Sequence, residues 1–182
     1  MSTDSPVALW AATTLRVAPE RYALVSLPPS QLAEAAALLA GCTAAFCALV
    51  RERDEVSLTV PAELWAAART RLRAGAPGAP GAPCDPGAPG DPRKPGDLFQ
   101  EDAPYRVITF DIDLALNVVG YLAPATARLA AAGVPIVPQC AFRKDHLLVH
   151  ETRIEAALGE LQRLIDDCRR AAASAQDGGG GA

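Results

Sequence analysis

The stretch from Tyr105 to Ile165 decides the fold. In order, it reads YRVITFDID (105–113), LALNVVGYLAPATARLAAAG (114–133), VPIVPQCAF (134–142), RKDHLLVHE (143–151) and TRIEAALGELQRLI (152–165). Alternating and β-branched residues in the first, third and fourth segments predict strands, and apolar residues at helical spacing in the second and fifth predict helices. The resulting order of strand, helix, strand, strand and helix is the bulk of a ferredoxin-like split βαβ domain.

The helix in the second segment contains a proline that limits where it can begin. Pro124 is tolerated only in the first turn, because a proline further inside removes a hydrogen bond and clashes with the preceding turn. We therefore expect the helix to begin near Gly120 or Tyr121 and to end at Gly133, where the chain needs a C-cap. The loop before this helix starts at Asp111.

A ferredoxin-like domain needs a fourth strand, and the last helix is followed by a polar tail that offers none. The stretch Val7 to Val17 (VALWAATTLRV) contains β-favouring residues and is predicted to be a strand. We expect it to complete the C-terminal sheet, either within the chain or in a partner.

The first half repeats the element order of the second. Strands and helices are predicted over 21–27, 31–39, 45–51, 55–60 and 62–73. The predicted fold class is therefore α+β, with two ferredoxin-like βαββαβ domains packed side by side. The predicted boundaries are an N-terminal domain over 1–74, a Gly/Pro-rich linker over 75–100, a C-terminal domain over 101–172 and a disordered tail over 173–182.

The linker has proline at every third position from Pro77 to Pro95, and Cys84 and Arg93 break the glycine repeat that a collagen helix requires. An extended, polyproline-like linker is predicted instead.

Composition excludes several classes of function. The net charge is −4 and no basic block is present, so a large surface for nucleic acid is not expected. No apolar run reaches the ~18 residues that span a bilayer, and no signal peptide is visible. The five cysteines include no C-x-x-C pair, which favours a reduced, cytoplasmic location. No phosphate-binding or nucleophile motif is present, so no cofactor and no catalytic residue is predicted.

The second half resembles the ACT-domain family, and specifically the tandem subgroup that includes the CASTOR arginine sensors. The resemblance lies in Val119–Leu122, Leu129–Ile136 and Phe142–Val149, and Glu55–Leu58 is loosely similar to a strand of the subgroup's first domain. It implies an ACT domain in each half, a regulatory or sensing protein without catalytic activity, a small-molecule ligand, usually an amino acid, and a homodimer or protein partner.

The resemblance also implies a ligand site at the glycine that opens the helix and at the turn before Asp145. Physical reasons agree, because a helix N-terminus suits a carboxylate and Asp145 suits an ammonium group. Ala141 stands where the family has a hydroxyl residue, so one side-chain hydrogen bond to the ligand is absent. The predicted ligand-binding residues are Asp113, Asn117, Val119, Gly120, Cys140, Ala141, Phe142 and Asp145.

Four of these residues also have a purely structural interpretation. Gly120 would permit close helix packing, Asp145 would end a turn, Phe142 would be a core residue and Cys140 a buried, inert thiol.

Two other functions stay open. The chain is either a scaffold that has lost its ligand and mediates assembly, or an enzyme that uses Asp111, Asp113 or Asp145. Asp111 and Asp113 form a D-x-D that would hold a divalent cation, or else they are a solvated strand end. His146 and His150 lie ~13 Å apart along a strand and cannot share a metal.

Overall fold

The computed structural model describes residues 5–75 and 99–177, and the linker prediction falls almost entirely outside this part of the chain. The elements are α1 (Pro6–Ala12), β1 (Leu15–Val17), β2 (Tyr22–Leu27), a 3-10 turn (Pro29–Gln31), α2 (Leu32–Ala40), β3 (Ala48–Arg51), β4 (Val56–Pro61), α3 (Ala62–Gly75), β5 (Gln100–Phe110), α4 (Ala123–Ala131), β6 (Val137–Cys140), β7 (Asp145–His150), a 3-10 turn (Glu151–Arg153) and α5 (Ile154–Asp177). The order β, α, β, β, α therefore occurs twice, from β2 to α3 and from β5 to α5.

The chain divides into two compact units. Of the described residues, unit 1 comprises 5–19 and 105–177, and unit 2 comprises 20–75 and 99–104. Residues 5–19 thus belong with the C-terminal half and not with the N-terminal domain over 1–74 that we predicted. The reason is burial: Trp10 lies in the core of unit 1 together with Phe110 and Leu161.

The strands of unit 1 form an antiparallel array in the order β1, β5, β7, β6. Leu15 pairs with Phe110, Tyr105 pairs with His150, and Cys140 pairs with Asp145. The predicted pairing of the N-terminal strand with the C-terminal strands is therefore confirmed within this chain.

The N-terminal strand is shorter than predicted, because most of the stretch Val7 to Val17 is not extended. Residues 6–12 form α1, with Ser5 as its N-cap and Pro6 in its first turn. A capping serine followed by a proline is a helix-start signal. In this stretch it outweighs the β propensity of the valine and threonine residues.

The core of unit 1 lies between the strands and the helices α1, α4 and α5. Buried side chains from α5 include Ala157, Leu161, Leu164 and Ile165, which follow the apolar stripe of that helix. The helix α5 continues to Asp177, so residues 173–177, predicted to belong to a disordered tail, are helical. Alanine-rich sequence favours this extension.

Unit 2 has a smaller core of its own. Its strands β2, β4 and β3 are antiparallel neighbours in that order. The core includes Val25, Leu58 and Trp65, packed with Ala35 of α2. The predicted hairpin and both predicted helices of this half are present, with ends shifted by at most three residues. No helix in the described ranges combines the length and the apolar character needed to cross a membrane.

Candidate functional site

Two connections in unit 1 meet beside the start of α4. The first is the loop over residues 111–122, between β5 and α4, and the second is the turn over residues 141–144, between β6 and β7. The backbone N–H of Leu114 donates to the carbonyl of Arg143 at 3.0 Å, and that of Ala141 donates to Lys144 at 2.8 Å. The first bond fixes the loop against the turn and the second closes the turn itself, so the surface between them has a defined shape.

A cleft of about 360 Å³ lies between this loop and this turn. Five of the eight predicted residues line it, namely Gly120, Cys140, Ala141, Phe142 and Asp145. A second cleft of about 470 Å³ adjoins it and is lined by the predicted residues Asp113 and Asn117, again with Phe142. Val119 lines neither cleft and is 84% exposed.

Gly120 has a left-handed backbone with φ of +78°, and a Cβ placed on it would meet no atom within 4 Å. The interpretation of this glycine as a helix-packing residue is therefore wrong, because nothing packs against it. Its conformation favours glycine, and its exposed backbone borders the cleft.

The start of α4 offers fewer amide donors than predicted. The N–H of Ala123 donates to the Gly120 carbonyl at 3.3 Å, and Pro124, which lies in the first turn as predicted, has no N–H to give. Two of the donors that a helix N-terminus normally leaves free are thus used or missing. A ligand at this place must depend more on side chains.

Tyr121 lines the cleft and is held by residues from the N-terminal segment. Its ring stacks on Trp10 at 4.7 Å, its carbonyl accepts from the indole N–H of Trp10 at 2.7 Å, and its hydroxyl bonds the hydroxyl of Thr13 at 2.8 Å. Burial raises the pKa of Tyr121 to about 12. Trp10 and Thr13 were missed by the sequence analysis, although the helix-start signal at Ser5 and Pro6 would have placed Trp10 on a short helix.

Asp145 begins β7 and is half-buried on the cleft wall. No Lys, Arg or His of residues 5–75 and 99–177 forms an ion pair with it. Its carboxylate accepts a hydrogen bond from the Cys140 thiol, and partial desolvation together with this bond raises the pKa of Cys140 to about 11. Cys140 itself is exposed, so its interpretation as a buried thiol is wrong.

The other two aspartates of the region are paired with cations. Asp111 contacts Lys144 and Arg16 at 3.1 Å, and the hydrogen bond from Lys144 holds the pKa of Asp111 below its ordinary value. Asp113 lies 3.5 Å from Arg143. Among the described residues no group of three or more His, Cys, Asp or Glu could hold a metal ion.

Phe142 is 74% exposed, so its interpretation as a core residue is wrong. Leu116, on the opposite loop, is 75% exposed and lines the same clefts. Apolar side chains this open to water are available for contact with a ligand or partner. Leu116, Arg143 and Lys144 are cleft residues that the sequence analysis did not name.

Solved structures share the fold of this chain, whereas family models and curated proteins give no match. No protein-family model matches the chain, and no curated protein matches it. Among solved structures, a Vibrio cholerae protein of unknown function, described as a possible transport protein, is 18% identical with a TM-score of 0.58, and the match covers 88% of this chain and 94% of that one.

An aspartate kinase and a regulatory subunit of such a kinase are similar as well. The regulatory subunit of aspartate kinase from Thermus thermophilus is 13% identical with a TM-score of 0.57, over 84% of this chain and 99% of that one. Aspartate kinase from Clostridium acetobutylicum is 9% identical with a TM-score of 0.58, over 84% of this chain and 34% of that one. The chain therefore has a mixed α/β fold similar to that of these aspartate kinase structures.

Proposed function

We propose that this protein is a regulatory or sensing protein that binds a small molecule, expected to be an amino acid, without catalysing a reaction on it. The observation that carries the proposal is the cleft of about 360 Å³ between the loop over 111–122 and the turn over 141–144. Two features line this cleft: the backbone of Gly120, which carries no side chain, and the half-buried carboxylate of Asp145.

The chemistry of recognition follows from Asp145. A half-buried carboxylate without an ion-pair partner among the described residues gains a charge-assisted hydrogen bond when an ammonium group enters, which contributes about 1.5–3 kcal/mol. The aromatic ring of Phe142 forms one wall. Gly120 lets ligand atoms approach the backbone closely. Asp111 and Asp113, in contrast, are neutralised by Lys144 and Arg143, which leaves less capacity for the acid–base or metal chemistry of an enzyme.

The fold supports a regulatory role by similarity, since the aspartate kinase structures named above are described as regulatory subunits or allosteric enzymes. We further propose that the two halves are tandem ACT-like domains of the CASTOR-like subgroup, that the protein acts in the cytoplasm, and that it works as a homodimer or through a protein partner. The repeated order of elements supports the tandem assignment.

The test is isothermal titration calorimetry of the full chain against the twenty amino acids, with Asp145→Asn as the site variant. The loss of the charged acceptor should weaken binding by about 10- to 150-fold, the equivalent of 1.5–3 kcal/mol. Asp166→Asn is the matched control, because it removes the same charge from the surface of α5, where Asp166 pairs with Arg169 at 3.7 Å. The absence of binding to every amino acid at millimolar concentration contradicts the proposal.

One observation favours a scaffold as the second candidate. Leu116, Val119 and Phe142 are each more than 70% exposed and lie on the two connections that frame the cleft. A protein partner or second copy would cover such side chains. Sedimentation equilibrium distinguishes the two functions: a scaffold assembles without ligand, and Val119→Ser, which lies outside the cleft, weakens that assembly.

A further inference from the structure

We infer that the ligand of this cleft is a primary ammonium compound with an apolar side chain, and not one with a charged side chain such as arginine. The inference rests on the proposed function and specifies its ligand class. Two sources share this chemistry, an α-amino acid with an apolar side chain and the amine that lacks its carboxylate.

The charges around the cleft define the ammonium requirement. Of the three charged residues that line it, Lys144 is already bound to Asp111, and Arg143 lies beside Asp113. Asp145 alone has no ion-pair partner among the described residues, so the cleft can neutralise one positive charge. A ligand with a second cation would have to take a carboxylate away from Lys144 or Arg143, which costs the existing pair.

The apolar surface defines the side chain. Leu116 and Phe142 are 75% and 74% exposed, and they face the cleft from its two sides together with the partly buried Leu114, Val118 and Leu122. A branched or aromatic side chain that covers this surface removes it from water, which is favourable. A guanidinium or carboxylate there would lose hydration without a hydrogen-bonding partner. Ala141 supplies no hydroxyl to compensate.

The helix start agrees with this division of roles. The N–H of Ala123 donates to the carbonyl of Gly120, and Pro124 has no N–H. A ligand carboxylate would therefore find few hydrogen-bond donors at the start of α4. Recognition therefore depends on the ammonium and the side chain more than on a carboxylate.

The experiment is titration calorimetry of the full chain with leucine, phenylalanine, arginine, aspartate, 3-methylbutylamine, 2-phenylethylamine and N-acetylleucine. Leucine or phenylalanine should bind at least about tenfold more tightly than arginine and aspartate, as expected when a pocket discriminates by apolar contact. N-acetylleucine, in which the ammonium is blocked, should lose at least about tenfold in affinity, because the charge-assisted bond is gone. The two amines identify the source: equal binding of amine and amino acid indicates that the carboxylate is not recognised, and weaker binding of the amine indicates an amino acid.

A variant pair separates wall contact from folding. Phe142→Ser should weaken the binding of leucine and phenylalanine by about tenfold. Val50→Ser changes a side chain of unit 2 that is 47% exposed, and it should leave the binding of both unchanged. Tighter binding of arginine or aspartate than of leucine, with the loss in Asp145→Asn intact, overturns the ligand class and leaves the proposed function standing. No binding of any ammonium compound overturns both. Unchanged affinity in Phe142→Ser overturns the assignment of the apolar wall.

Discussion

Replacement of Trp10 by alanine tests the largest structural claim, that the N-terminal segment is part of unit 1 and supports the cleft. The side chain of Trp10 is fully buried, stacks on Tyr121 and lies edge-on to Phe110 at 5.1 Å. A tryptophan-to-alanine change in such a core costs about 3–5 kcal/mol. Each aromatic pair contributes about 0.5–1.5 kcal/mol to such a loss, in addition to the contribution of the buried apolar area.

The hydrogen bond can be examined separately through Trp10→Phe. Phenylalanine keeps an aromatic ring in the site but has no N–H, so the buried carbonyl of Tyr121 loses the donor that now lies at 2.7 Å. A buried acceptor left unsatisfied costs about 1–3 kcal/mol. We therefore expect Trp10→Phe to destabilise the protein clearly less than Trp10→Ala.

The assay is urea denaturation followed by far-ultraviolet circular dichroism, with the free energy of unfolding obtained by linear extrapolation. Val7→Ala is the control on the same helix, because Val7 is 41% exposed and exposed substitutions stay within about 0.5 kcal/mol. If Trp10→Ala costs no more than Val7→Ala, the N-terminal segment does not contribute to the core and the assignment of α1 to unit 1 is refuted.

Three further predictions concern the cleft and its surroundings. Gly120→Ala and Gly133→Ala should each cost about 1–2 kcal/mol of stability, because both glycines have positive φ, +78° and +64°. Only Gly120→Ala should also weaken ligand binding in calorimetry. Equal effects of the two variants on binding would show that Gly120 is not part of the site. In Asp145→Asn, iodoacetamide should alkylate Cys140 several times faster at pH 8 than in the unsubstituted protein, because the carboxylate that helps to raise the thiol pKa to about 11 is gone. Peptide mass mapping measures the rate. An unchanged rate contradicts the contact between Cys140 and Asp145. Burial lowers the pKa of His146 below its ordinary value, so the unfolded state takes up the proton first and stability should fall as the pH drops below about 6.5. His146→Asn should reduce this pH dependence of stability, measured by urea titrations at several pH values. An identical pH profile in the variant would show that this histidine is not the cause.

The second half of the fold could be predicted from local signals. Pro124 fixed the first turn of α4, and Gly133 has the positive φ of a residue that ends a helix. The apolar stripe from Ile154 to Ile165 corresponds to the buried face of α5. These predictions succeeded because proline, glycine and helical periodicity act within a few residues of the position that they determine.

The N-terminal segment was misassigned because its local signals conflict. Valine and threonine favour a strand, whereas Ser5 and Pro6 favour a helix start, and propensity alone does not decide between them. The helix-start signal outweighs the strand propensity here, but it lies just before the stretch Val7 to Val17. Burial of Trp10 against Tyr121 adds to it, and that contact joins residues 111 positions apart in the chain.

The same limit applies to the cleft. The residues that line it follow one another on two connections, so the resemblance, which lies in short motifs of these connections, was enough to name Gly120, Phe142 and Asp145. The contacts that hold it are long-range: Thr13 bonds Tyr121 across 108 positions, and Arg16 bonds Asp111 across 95. Since Lys144 also pairs with Asp111, the N-terminal segment influences the position of the Lys144 ammonium group, which lies beside Asp145 on the cleft. Substitutions at Thr13 or Arg16 should therefore alter ligand affinity although neither residue lines the cleft, and local sequence patterns cannot identify such residues.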